Sequence, residues 1–150
     1  MSALSKCLCV PLLLLALSLF VSISEASGKA SSCSSRDARA AEEVADAANS
    51  WGQLHRFYER FRHCDDGSIA EGFSESASML LDKKWQDVRD FERLSRKDPR
   101  FKRFVIRHLD ETVPVRLDRI EHNASNSCPK KLKNLCREMV DAITHLRQTK

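Results

Sequence analysis

Two apolar stripes at helical spacing, joined by a connection of about five residues, constrain this chain more than any other feature. Leu54, Phe57, Tyr58 and Phe61 fall on one side of a helix. Ile69, Phe73, Ala77, Leu80, Leu81, Trp85, Val88, Phe91 and Leu94 fall on one side of the next. Between them stands His63-Cys64-Asp65-Asp66-Gly67, where the glycine is free to take the left-handed conformation that helix ends favour. Ser68 and Glu71 fit the S-x-x-E capping box, which predicts a second helix starting at about Ile69. Stripes joined so closely bury each other only by lying antiparallel, as an αα-hairpin.

The rest of the chain repeats the pattern. From about Ser35 the composition turns to strong helix formers, and Val44, Ala47, Ala48, Trp51 and Leu54 keep one phase across Gly52. That phase favours one long first helix, whereas Ser50 and Gln53 form a second capping box that would mark a break. The second helix runs to about Ser95. Asp98-Pro99 reads as an N-cap followed by a first-turn proline. Phe101, Phe104, Val105, Leu109, Val113, Leu117 and Ile120 then continue to about His122, with Pro114 inside the run as a kink or a split. Asn123 to Ser127 reads as a polar loop. Cys128-Pro129 opens a last helix whose stripe is Leu132, Leu135, Cys136, Met139, Val140, Ile143 and Leu146. No segment alternates as a strand does. The expected fold is all-α, an antiparallel up-down-up-down four-helix bundle braced by disulfides.

Residues 1–26 read as a cleaved signal peptide: Lys6, an apolar run from Leu8 to Val21, and small residues at Ser24 and Ala26. The run is shorter than the roughly 20 residues a membrane-spanning helix needs. Residues 27–34 follow as a flexible leader, and 35–150 as a single helical domain. Cys7 and Cys9 leave with the signal, so Cys33, Cys64, Cys128 and Cys136 remain, and an even count in an exported chain predicts two disulfides. The expected location is secreted or periplasmic. A net charge of +4 is too mild to imply nucleic acid.

Pairing of these cysteines bears on the helices. Cys128 and Cys136 would lie about 12 Å apart if both were helical, beyond the roughly 7 Å a disulfide tolerates. Unless Cys128 folds back over the helix, the bundle therefore predicts that Cys64 bonds Cys128 or Cys136. Cys33 and Cys64 would be more than about 40 Å apart on an unbroken first helix, so Cys33 reaches the remaining C-terminal cysteine only if that helix breaks, at a place such as Ser50.

Reactive residue types are present without a strong motif. His55 and Glu59 share a helical face but have no evident third metal ligand. His108 with Asp110 or Glu111, just before Pro114, is the candidate set for an enzyme. His122 and His145 sit near helix ends, where structural roles suffice. Gly72-Phe73-Ser74-Glu75-Ser76 lacks the frame of a nucleophile elbow. The acidic turn lacks the ligand alternation of a calcium loop. No phosphate loop, zinc-protease motif or dinucleotide fingerprint occurs, so no metal or cofactor is implied. Asn123-Ala124-Ser125 is a glycosylation sequon, relevant in a host that glycosylates exported proteins.

What remains is surface. Asp65, Asp66, Glu71, Glu75 and Asp82 make an acidic face, Arg100, Lys102, Arg103 and Arg107 a basic one, and Lys130, Lys131, Lys133 and Arg137 another. Segregated charge steers partners of opposite sign. In its signal, size, helicity and cysteines the chain resembles the small helical, disulfide-bearing periplasmic proteins that include immunity proteins neutralising type VI secretion effectors. The resemblance implies a protein partner and carries over no binding residues. The leading expectation is a non-catalytic protein-binding module, an immunity or inhibitor protein against a secreted toxin or cell-wall enzyme, acting as monomer or homodimer. It touches neither nucleic acid nor, after cleavage, a membrane. The alternatives are a secreted eukaryotic helical factor that binds a receptor, and a small enzyme using His108.

Overall fold

The structure, a computed structural model, describes residues 32–149. The expected signal segment, Cys7, Cys9 and residues 27–31 of the expected leader lie outside the described residues. Among those described there is no strand. Seven α-helices follow in order: α1 (Ser35–Glu42), α2 (Trp51–Phe61), α3 (Gly67–Lys83), α4 (Val88–Lys97), α5 (Pro99–Arg107), α6 (Pro114–Asn126) and α7 (Lys133–Gln148). Where the periodicity predicts four rods, the first three stripes are interrupted, each with a visible cause, and the last runs unbroken as α7.

The first break is at Ser50. Its hydroxyl accepts from Gln53 N at 3.4 Å while the Gln53 side chain accepts from Asn49 N at 3.0 Å, so the reciprocal capping box prevails over the continuous phase. Residues 43–50 thus leave the helical ladder, and their backbone groups need partners elsewhere. Ser76 on α3 supplies two: its hydroxyl donates to Ala45 O at 2.6 Å and accepts from Ala48 N at 3.2 Å. One turn earlier Gly72 lets α3 approach the same segment. A Cβ at Gly72 would sit 2.7 Å from the Ala45 Cβ and 3.2 Å from its carbonyl carbon.

The next connection differs from the sequence reading in detail. Gly67 is left-handed (φ +52°) as expected, but α3 begins there, with Asp66 as its N-cap accepting from Gly67 N at 2.9 Å. Ser68 does not cap; its hydroxyl donates to Glu42 at 3.0 Å and ties α3 to the end of α1. The second stripe then turns a corner at Lys84 and a 3₁₀ turn, Trp85–Asp87. There Lys84 donates to Asn49 O and the Trp85 indole donates to Ser127 O at 3.0 Å. The corner brings α4 across α2, where Phe91 stacks on Trp51 with centroids 4.5 Å apart.

Asp98 caps α5 as predicted, accepting from Arg100 N and Phe101 N, with Pro99 in the first turn. The third stripe splits: α5 ends at Arg107 and Pro114 opens α6, so the proline costs no interior hydrogen bond. The predicted loop at Asn123–Ser127 is helical as far as Asn126, because Ala124 packs into the core and the Asn123 amide donates to Leu81 O at 3.4 Å. The sequon therefore lies on a helix, not on a loop.

The expected pairing of Cys64 with a C-terminal cysteine needs correction, while the two conditions stated with it, a break at Ser50 and a fold-back of Cys128, are both met. Cys33 bonds Cys64 across 4.8 Å between Cα atoms, and Cys128 bonds Cys136 across 6.2 Å. Cys64 does not reach either C-terminal cysteine. The first pair closes because the chain reverses between α1 and α2, which places Ser34, the N-cap of α1, beside the end of α2. The second closes because Cys128 is not helical: Pro129 is extended and a 3₁₀ turn, Lys130–Leu132, folds Cys128 back toward α7.

One core runs through the domain, from Ala41 and Trp51 through Phe73, Leu80, Phe91, Phe101 and Ile120 to Met139 and Ile143. Across it α6 packs between α3 and α7, while α4 lies against α5 and α2. Ion pairs clamp the outer edges. Arg116 grips Glu75, Arg119 donates to the buried Asp82 at 2.7 Å, and Arg147 reaches Asp118 and Glu121 at 2.6 Å each.

The hydrogen bonds from Arg116 and Arg119 hold the carboxyls of Glu75 and Asp82 below their ordinary range. A depressed folded value stabilises the fold above the unfolded carboxyl range, near about pH 4, and that contribution is lost as pH falls through the folded values. Thermal melts followed by circular dichroism should therefore show Tm dropping as the pH falls below about 4. An Arg119→Gln variant should show a shallower fall over the same interval; an identical fall would remove the α3–α6 clamp as its cause.

Candidate functional site

Two places bring the sequence-predicted residues together. The first surrounds His108, which ends α5 and is only 4% exposed. Its Nδ1 lies 2.9 Å from the Ser74 hydroxyl of α3, and its Nε2 lies 3.2 Å from Asp65 Oδ1, off the line of a good hydrogen bond. Ser74 also donates to Asp110 Oδ2 at 2.6 Å and lies 3.1 Å from Ala70 O. Asp110 in turn accepts from the backbone N–H and the hydroxyl of Thr112, at 2.9 and 2.5 Å. Asp65 is pinned from outside by Arg107.

Counting protons constrains the direction of this network. Ser74 has one hydroxyl proton, and both the Ala70 carbonyl and an ionised Asp110 only accept. Where that proton goes to Asp110 or to the Ala70 carbonyl, Nδ1 of His108 is the donor to Ser74 Oγ; the direction follows the tautomer of the ring. A serine nucleophile needs the opposite, a histidine that accepts the hydroxyl proton. Ser74 is also 1% exposed and lies within the packed face of α3. The cluster ties three segments: the Asp65 turn, α3, and the connection between α5 and α6. A cavity of about 270 Å³ opens beside it, bordered by Asp65, Glu71, His108 and Asp110. Glu111 is exposed on the same connection.

The second place is a groove of about 460 Å³ between α2 and α5, lined by Tyr58, Arg62, Arg100, Arg103, Phe104 and Arg107. Tyr58 and Phe104, 4.7 Å apart between centroids, are the buried floor. Arg62 leans over Tyr58, its Nη1 donating to the phenol oxygen at 3.4 Å, and Arg107 lies over Phe104. Arg107 is engaged by Asp65. Arg100 and Arg103 are exposed and make no side-chain hydrogen bond or ion pair among the described residues.

The acidic face predicted from sequence is thus largely committed to internal partners. Asp65 is 7% exposed between Arg107 and His108, and Glu75 is held by Arg116; Asp66 caps α3, and Glu71 stays exposed. Asn123 is half-buried on α6 with its amide engaged. His55 stands 3.6 Å from Glu59 and 3.7 Å from Asp98, edge-on to Phe101. Among the described residues no group of three or more His, Cys, Asp or Glu side chains is arranged to hold a metal ion. Ser74 was not among the sequence candidates. The one signal available was a serine between Phe73 and Ala77 on a face that is otherwise apolar.

Comparison with protein-family models, with curated proteins and with solved structures returns no significant match in any of the three.

Proposed function

We propose that the chain is a secreted or periplasmic, non-catalytic protein-binding module, an inhibitor or immunity protein directed at a secreted toxin or an envelope enzyme. The observation that carries this reading is how the polar groups divide. Of the reactive types, Ser74 and His108 are buried and Asp65 and Asp110 half-buried, with Ser74 bonded to His108 and Asp110 and Asp65 held by Arg107, whereas the arginines of the α2–α5 groove face outward. The two disulfides are compatible with an oxidising compartment, and among the described residues no helix is long and apolar enough to cross a membrane. A braced all-helical body with a fixed face suits recognition, because little order is lost on binding.

The oxidised protein, crosslinked in an envelope extract of its own host and resolved by size exclusion with light scattering, should appear in a stable 1:1 or 2:2 complex with one cell-wall- or membrane-targeting enzyme and should inhibit it. Recovery of no specific partner would discard the reading. One observation favours the enzyme alternative, the cavity that reaches His108. A folded His108→Gln variant that inhibits as well as the parent would remove it.

A further inference from the structure

We infer that the α2–α5 groove is the partner-contacting site and that it takes a short acidic segment of a protein, one presenting three carboxylates within about 10 Å. The inference rests on the binding-module reading and names the chemistry of the partner. Arg100, Arg103 and Arg107 follow one another at i, i+3 and i+7 on α5, so they form a single stripe about 10 Å long at 1.5 Å per residue. Arg62 joins them across the groove from the 3₁₀ turn, Arg62–Cys64, that follows α2. Guanidinium groups pair with carboxylates in a two-pronged geometry, and Arg100 and Arg103 have that capacity unused. The groove volume falls within the range of small-ligand clefts, about 300–1,000 Å³.

Charge at its ends limits what can occupy it. Asp98 stands at the N-terminal end of the stripe and Asp65 at the Arg107 end. A long sulfated glycan or nucleic acid tracking along α5 would run onto a carboxylate in either direction. A short peptide segment ends before it meets them. Asp65 also makes Arg107 conditional: an incoming carboxylate must share or displace it, whereas Arg100 and Arg103 have nothing to give up. These two therefore carry the discrimination between an acidic segment and its neutral counterpart.

The probe is the capped peptide Glu-Ala-Ala-Glu-Ala-Ala-Ala-Glu, whose carboxylates repeat the spacing of the arginine stripe, titrated into the full oxidised chain while the arginine Nε–H resonances are followed. The expected result is a shift of the Arg100 and Arg103 signals, no binding of the all-glutamine peptide, and affinity about ten-fold lower in an Arg100→Gln/Arg103→Gln variant. Both side chains are exposed and unpaired, so the variant should keep the parent's Tm, which verifies its fold. Equal affinity in the variant, or no binding of the acidic peptide, overturns the proposal. So does a heparin oligosaccharide that binds the same arginines and is not displaced by the peptide. If the natural partner binds the variant as well as the parent, the groove assignment fails while the binding-module reading stands. If no partner exists, that reading fails on its own test.

Discussion

A Cys33→Ser/Cys64→Ser variant should unfold with about 3.7 kcal/mol less free energy than the parent, the chain-entropy value for a loop of this size. The bond spans 31 residues and closes a loop containing the whole α1–α2 reversal. Residues 43–50 within it form turns rather than a regular helix, held by a few backbone bonds and by the side chains of Ser76 and Gln53. Against a total of about 5–15 kcal/mol for a domain of this kind, the loss is large. The Cys128–Cys136 bond spans 8 residues, and the same entropy relation gives about 2.5 kcal/mol. Urea unfolding of the two double-serine variants should rank them in that order. The reverse ranking would mean that loop closure does not govern the stabilisation.

The second large effect is expected at Ser76. Replacing it by alanine removes a hydroxyl that serves Ala45 O and Ala48 N, both on fully buried residues. Each buried polar group left without a partner costs about 1–3 kcal/mol, so for the two a loss of about 2–6 kcal/mol is expected. The variant has no cavity large enough to supply the loss by itself, since only one oxygen is deleted. Gly72 keeps α3 within contact of Ala45, which leaves little room for water to enter and replace the hydroxyl. Chemical denaturation measures the loss directly. Hydrogen exchange at the Ala48 amide should accelerate in parallel, and a Ser76→Ala protein with unchanged exchange there would show that the hydroxyl does not secure this segment.

These two sites also mark where the sequence was legible and where it was not. Helical class follows from spacing alone, since apolar residues at every third or fourth place have no other way to share one core. Local punctuation was readable at Asp98-Pro99, which starts a helix; at Ser50–Gln53 the continuous apolar phase outweighs the capping box on sequence grounds, yet the box is what breaks the helix. What failed depends on partners distant in the chain. Ser76 looks neutral beside Ala77, and its role appears only with Ala45, 31 residues earlier. The corner at Lys84 is held by Asn49 and Ser127, from two different loops. Asp65 reads as a solvated turn residue until Arg107 and His108, more than 40 positions on, close over it. The run Asn123-Ala124-Ser125-Asn126 has the composition of a loop, but burial of Ala124 outweighs propensity and extends α6.

The cystine pattern carries one more consequence. Of the four cysteines described, the first pairs with the second and the third with the fourth. A chain threaded amino end first through a translocation pore, on the proposed export route, delivers Cys33 and Cys64 before either later thiol has emerged. Each bridge then forms between neighbours in order of arrival, so a simple thiol oxidase suffices and no isomerase is required to undo a wrong pairing.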